Sequence, residues 1–325
     1  MEKLHMDFKT QEKLTLPLVT MGLLTYNHQS SKIIGPELFI EALNSLVNQD
    51  YVNKELIIMD DFSTDGTYEL CQEYANRYSF VRLYKNDKNL GVMNNLEKLF
   101  QKLSGEYFVW VCPDDHYATN YLTLCINQFI KNTNAVLITT AVKVSYDNGD
   151  IRHFRYFDFL RNLPFRKMVR NILRCKDSLG KNVEYQQIIH SGMVKANLIP
   201  KIYCRVEFYG MEYAWFINAM IWGDIDYIDK VSYFRNDFSI SYEIKNPEIY
   251  INYSGRFQVL KNNFKYLNHF LFQTNFPLRK KLMYFWVSLH FLRYYIFPRL
   301  IADSKVVILI FIRKIGLMRY NASRK

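Results

Sequence analysis

The chemistry of this chain is concentrated where its apolar runs stop. Val109-Trp110-Val111-Cys112-Pro113 leads into two adjacent carboxylates, Asp114 and Asp115. An unbroken apolar run suits a strand buried on both faces of an α/β sheet. Ligands of such sheets sit outside the carboxyl ends of the strands. Two neighbouring carboxylates there repel each other unless a positive charge separates them, and a hard divalent cation carrying phosphate oxygens does so. A solvated strand-end turn uses the same residue types, so the pair gains its weight from what surrounds it.

Three further segments follow the same pattern. Glu55-Leu56-Ile57-Ile58-Met59 stops at a second acid pair, Asp60-Asp61, followed by Phe62-Ser63-Thr64-Asp65-Gly66-Thr67. Gly66 suits a turn with positive φ. Ser63, Thr64 and Asp65 are helix-capping types, and Leu70 and Tyr74 share a face of a helix expected over residues 68–78. An earlier run, Leu18 to Leu24, ends at Thr25-Tyr26-Asn27-His28. Asn86-Asp87-Lys88-Asn89-Leu90-Gly91-Val92 lies between the two acid pairs. Its glycine would let backbone N–H groups approach a phosphate. Each segment alone passes for an ordinary βα loop. Four in this order describe a site for a nucleotide pyrophosphate.

In these segments the N-terminal half resembles the family 2 inverting glycosyltransferases with the GT-A fold. The family's opening "T-Y-N" turn is similar to Thr25-Tyr26-Asn27, and its "V-D-D-G-S-T-D-G-T" signature to Met59 through Thr67. Its "N-x-G" segment is similar to Asn89-Leu90-Gly91, and its "D-x-D-D" metal motif to Cys112-Pro113-Asp114-Asp115. The likeness is ordered over residues 16–145. It implies a GT-A-type nucleotide-diphospho-sugar transferase fold, a Rossmann-like mixed sheet flanked by helices. It also implies site residues. Asp61 would accept a hydrogen bond from the nucleobase, with Thr25, Tyr26 and Asn27 lining the pocket. Gly91 would approach the phosphates. Asp114 would bind ribose or support the metal, and Asp115 would ligate Mn²⁺ or Mg²⁺.

The chain departs from the family's pattern at three of these positions. Cys112 stands for the first acid of the metal motif. Asn94-Asn95 stands where an Arg-Asn pair is common, which removes a cation. Phe62 stands for the small residue after the acid pair.

Downstream, Phe208 to Gly223 reads as a turn, one carboxylate, then a helix ended by glycine. It is similar to the family's "G-E-D" segment, with Met211 for the first acid and Glu212 for the second. Glu212 is the expected catalytic base, taking the proton from the attacking hydroxyl. A first-turn Glu complementing the helix dipole is the plainer alternative. Further on, Arg235 and Ser239 fit a family pattern in which Asp237 replaces a common His, leaving the role of Asp237 open.

The 325 residues carry a formal charge of +11, unevenly spread. Residues 256–325 hold fourteen Lys and Arg against one acid, Asp303, so the preceding part is near neutral. Two apolar, aromatic runs in this tail, Leu282 to Phe297 and Val306 to Ile312, fall short of the ~20 clean apolar residues of a spanning helix. Trp, Tyr, Phe and Leu framed by basic residues suit a helix lying in an anionic lipid interface, the plainer alternative being a packed helical subdomain whose basic face is solvated. Nucleic-acid tails are more polar, so nucleic acid is not an expected partner. A smaller basic, aromatic segment spans residues 152–181. The five cysteines are scattered without a C-x-x-C pair, and Met1 to Thr15 shows no signal-peptide core.

The expected organisation is a GT-A domain over residues 1–255, with a nucleotide half at 16–145 and an acceptor half at 182–245, then a helical, membrane-associated region over 256–325. The expected partners are a UDP-sugar donor, a saccharide or lipid-linked saccharide acceptor, and the inner face of a membrane reached from the cytoplasm. Two rival functions are weighed. A nucleotidyltransferase would want a Gly-rich, Lys- or Arg-bearing loop where Gly22 to Asn27 stands. A catalytically impaired sugar-nucleotide-binding protein would suit the altered motif residues.

Overall fold

A computed structural model describes residues 16–32, 34–154, 192–203, 215, 218–219, 222–237 and 285. Glu212, Ser239, residues 155–181 of the basic segment and all of the tail except Phe285 lie outside the described residues. The chain divides into two compact units. Everything described here except Phe285 belongs to the unit formed by Met1–Leu163, Lys176–Arg205 and Glu212–Ser241.

Four strands run parallel at its centre. They are β1 (Val19–Thr25), β2 (Lys54–Asp60), β3 (Val81–Lys85) and β4 (Tyr107–Val111), in the order β3-β2-β1-β4. They are five to seven residues each; β1, β2 and β4 are the apolar runs of the sequence, and β2 is buried along all but its first residue. Register brings their carboxyl ends level. Thr25 pairs with Asp60, Asp60 with Lys85, and Leu23 with Val111. The polar residues that follow each strand therefore emerge along one edge.

Helices α1 (Gly35–Val47), α2 (Thr67–Arg77), α3 (Val92–Phe100) and α4 (Tyr121–Lys131) pack on the sheet. Phe39, Ala42, Leu43 and Leu46 of α1 follow helical spacing and are fully buried or nearly so. The helix expected over residues 68–78 is α2, displaced by one residue. It starts at Gly66, whose φ of 90° is the left-handed conformation the sequence suggested. Gly22 has a different use. A Cβ there would stand 2.7 Å from side-chain atoms of both Leu99 and Phe108. Its absence lets α3 lie directly on β1.

The second half of the sheet is mixed. β8 (Met193–Lys195) runs antiparallel between β4 and the twelve-residue β6 (Ala135–Tyr146). β7 (Ile151–Phe154) returns antiparallel on β6. After a 3₁₀ turn (Ala196–Leu198) and the short α5 (Ile199–Ile202), β9 (Asp224–Asp237) pairs parallel with β6 through several irregularities. The two-residue β5 (His116–Tyr117) then pairs antiparallel with β9, setting His116 opposite Phe234 and Tyr117 opposite Tyr233. This pairing brings the end of β9 beside the Asp114-Asp115 turn. Among the described residues, no helix is long and apolar enough to cross a membrane.

Candidate active site

The loops after β1 and β2 are stapled together. The Asn27 N–H donates to Ser63 Oγ at 3.0 Å, and Asn27 Oδ1 accepts from the Thr64 N–H at 2.9 Å. The Gln29 N–H donates to Thr67 Oγ1 at 3.0 Å, and the Ser30 N–H to Asp65 Oδ2 at 2.7 Å. Asp65 also accepts from Thr67 Oγ1 at 2.6 Å. Burial alone would raise the Asp65 pKa, but these donors from Thr67 and Ser30 hold it below its ordinary value. His28 is buried against Phe39, ring centroids 4.9 Å apart. Burial outweighs the attraction of Asp65 and pushes its pKa down to about 4, so it is neutral at pH 7.

Asp61 ties in a third loop. Its backbone N–H donates to Thr25 O at 2.9 Å, and its buried carboxylate faces residues 86–91. Oδ1 accepts from Asn86 Nδ2 at 2.8 Å and from the Leu90 N–H at 2.9 Å. Oδ2 accepts from the Gly91 N–H at 2.8 Å. Asn86 Nδ2 also donates to Asn95 Oδ1 at 2.8 Å, and Asn95 Nδ2 donates to Met59 O at 3.0 Å. Thus Asp61 and Gly91, expected to meet separate parts of a nucleotide, meet each other. A carboxylate has about four acceptor sites, so Asp61 keeps capacity for one further donor. The preceding Asp60 is fully buried. Its Oδ2 accepts from the Ser63 N–H at 2.9 Å, and burial raises its pKa.

The second acid pair is held by β9. Asp115 is buried, and its Oδ2 accepts from the Tyr233 hydroxyl. Its Oδ1 accepts from the Asn236 N–H at 3.0 Å, while Asn236 Nδ2 donates to Asp114 O at 2.7 Å. Burial pushes the Asp115 pKa up, opposed by Arg235, Tyr233 and Asn236. Asp114 is less buried. Cys112, Asp114 and Asp115 each offer an atom able to bind a cation, and these atoms lie within 4.8 Å of one another. The two carboxylates suit a hard divalent cation, whereas Cys112, held as a thiol by burial, is not a ligand for one. Arg235 and Asp237 form an ion pair at 3.4 Å, with Asp237 buried.

Tyr233 and Asn236 did not figure among the sequence candidates. The neighbouring Arg235 and Asp237 carried a signal, through their places in the family's pattern. Glu212 lies outside the described residues. Three residues on, the buried Trp215 packs on Trp110 of β4 with ring centroids 5.2 Å apart, and on Tyr203 at 5.1 Å.

The sequence model of glycosyl transferase family 2 matches residues 24–188, half of the chain. A cholesterol galactosyltransferase of Borreliella burgdorferi is 34% identical over 86 residues, covering 26% of this chain and 24% of that protein. The chain spans less than half the length of the curated relatives it matches. Among solved structures, Staphylococcus aureus TarS residues 1–349 in complex with UDP-GlcNAc superposes with a TM-score of 0.58 at 16% identity, covering 85% of this chain and 73% of that one. The Pyrobaculum calidifontis mannosyltransferase PcManGT, in complex with GDP-Man and Mn²⁺, gives 0.54 at 15%, covering 94% and 82%. The fold is therefore the GT-A fold expected from the sequence.

The Asp61 network predicts its own sensitivity. Asp61→Asn places an amide donor against N–H donors. Stability in urea should fall by about 2 kcal/mol, the order expected for an unsatisfied buried group. Unchanged stability would mean that the 86–91 loop is held by other contacts.

Proposed function

The chain belongs to glycosyl transferase family 2, and we propose that it moves a sugar from a UDP-sugar to an acceptor hydroxyl in cell-surface polysaccharide or glycolipid assembly. The acceptor is a saccharide or lipid-linked saccharide, and the transfer inverts the sugar carbon. One observation carries this: Asp61 with its 86–91 loop and the Asp114-Asp115 turn emerge from the same ends of the two parallel strands that flank β1. The UDP-GlcNAc bound by TarS and the GDP-Man bound by PcManGT support a nucleotide-sugar donor. The B. burgdorferi relative supports a lipid acceptor.

The roles follow from the residues. Thr25, Tyr26 and Asn27 with Asp61 form the nucleobase end of the site. Asp114 and Asp115 hold Mn²⁺ or Mg²⁺, and Mn²⁺ in PcManGT supports that pair. When bound, the cation supplies Lewis-acid stabilisation of the departing diphosphate. Asp114, being less buried, is the ligand assigned first. Asp115, gripped by Tyr233 and Asn236, fixes the turn and completes the site. Glu212 takes the proton of the attacking hydroxyl. Trp215, three residues on in the sequence, packs on Trp110, two residues before Cys112.

Three measurements test the assignment. Asp114→Asn should raise the Mn²⁺-dependent Kd for UDP with little change in Tm, whereas Asp115→Asn should lower Tm as well. Unchanged metal dependence in both would remove the cation from this turn. Glu212→Gln should keep UDP binding and lose roughly 10²-fold or more in kcat, since the amide cannot accept the proton. Near-normal turnover would place the base elsewhere. The product should be free nucleoside diphosphate, not the pyrophosphate of a nucleotidyltransferase.

The basic, aromatic tail of residues 256–325 is proposed to rest on an anionic membrane at its cytoplasmic face. Each basic residue at such a surface contributes about 1 kcal/mol. Binding to anionic liposomes should exceed binding to neutral ones and weaken with salt. Equal pelleting with both would reassign the tail to packing within the protein.

A further inference from the structure

Only two non-glycine residues have positive φ among those described, Asn27 at 51° and Phe62 at 69°. Asn adopts the left-handed conformation readily, and Asn27 is held there by its bonds to Ser63 and Thr64. Phe62 has no such ease. Its Cβ crowds the backbone in this conformation, and a bulky residue there is strained. Where the family's signature carries glycine, this chain keeps the glycine-like backbone and adds a large ring.

The ring does not repay the strain by burial. Phe62 is 42% exposed, and neither it nor Tyr26, 44% exposed, packs on another ring among the described residues. Their positions coincide. Thr25 O accepts from the Asp61 N–H, so Tyr26 and Phe62 are the next residues along two hydrogen-bonded strand ends. Val92, 60% exposed, follows Gly91, whose N–H donates to Asp61. Three of the large exposed hydrophobic residues thus each adjoin in sequence Asp61 or a residue hydrogen-bonded to it. A buried carboxylate beside exposed apolar residues suits a flat heteroaromatic ring, which offers polar edges and apolar faces. Strain persisting without burial is a feature of ligand clamps.

We propose that Phe62 is an affinity- and specificity-determining residue for the donor, its ring covering a face of the nucleobase beside Tyr26 and Val92. The inference rests on the nucleotide-sugar function proposed above. Phe62 takes no part in the chemistry of transfer. It shields the base from water, so that the hydrogen bond to Asp61 forms in a drier place. The strain is stored in the free protein and offset by stacking when the base arrives.

The test compares the full chain with Phe62→Gly, Phe62→Asn and Phe62→Trp. Titration calorimetry with Mn²⁺ measures Kd for UDP, GDP and inorganic pyrophosphate, and calorimetric scanning without ligand measures Tm. Gly and Asn relieve the strain, so Tm should hold or rise. Kd for the better-binding nucleotide should rise about 5- to 150-fold, the range of one base stacked on an aromatic ring. Kd for pyrophosphate should not move, and Phe62→Trp should retain nucleotide affinity. Unchanged nucleotide Kd in both small variants would overturn the proposal. So would a lower Tm in both, which would make the ring structural, or an equal loss for pyrophosphate, which would mean that the loop had collapsed. Failure of the unaltered chain to bind UDP or GDP would overturn the nucleotide-sugar function itself, and this inference with it.

Discussion

A buried carboxylate must find donors or give up its charge, and this protein buries several at strand ends, where the ladder supplies none. The structure meets that constraint by reaching across to neighbouring loops. Asp61 takes its donors from residues 86–91, Asp65 takes one from Ser30, and Asp115 takes its donors from β9. Each bond ties together two loops that the sheet alone would leave independent. The loop after β1 is joined to that after β2, and the loop after β2 to that after β3. The turn after β4 is joined to β9 in the same way. Prearranged polar groups of this kind cost no reorganisation when a ligand arrives.

The local part of this design was legible in the sequence and the non-local part was not. The strands β1, β2 and β4 are visible as apolar runs that stop at polar residues, and α2 follows from Gly66 and the spacing of Leu70 and Tyr74. Asp61 and Gly91 were both recognisable, but as independent contacts to a ligand. Their bond spans 30 residues, and no periodicity reports a hydrogen bond at that separation. The grip of Tyr233 on Asp115 spans 118 residues and depends on a two-residue strand pairing with an irregular partner. In the sequence around Tyr233, Arg235 fitted the family's pattern and Asp237 stood in the place of a common His with its role open. In the structure these two residues pair with each other.

The departures from the family's pattern have local consequences. Where an Arg is common, Asn94 turns back, its Nδ2 donating to Leu90 O at 2.7 Å. One turn later on α3, Lys98 Nζ donates to Asn86 Oδ1 at 2.9 Å. Asn86 in turn donates to Asp61 through its Nδ2. The accepting oxygen and donating nitrogen of one amide are thereby fixed in opposite directions, which settles the orientation of Asn86. A positive charge is retained near the site, but it acts on the Asp61 end through an amide.

Cys112 changes the charge of the metal turn. Burial, followed by the fields of Asp115 and Asp114, pushes its pKa well above the ordinary value, so the group is a thiol at neutral pH. That thiol donates to Asp115 and partly offsets the rise that burial imposes on it. A third acid at this position would have repelled the other two, whereas the thiol satisfies one of them. For the proposed transferase the consequence is one fewer negative ligand charge, and cation affinity at oxygen sites falls with ligand charge count. Asp114 and Asp115 would hold the cation, and a bound diphosphate would supply the missing negative charge. Cation and nucleotide are expected to bind together, each weakly without the other, and the substitution that looks like damage to the motif becomes a coupling between the two.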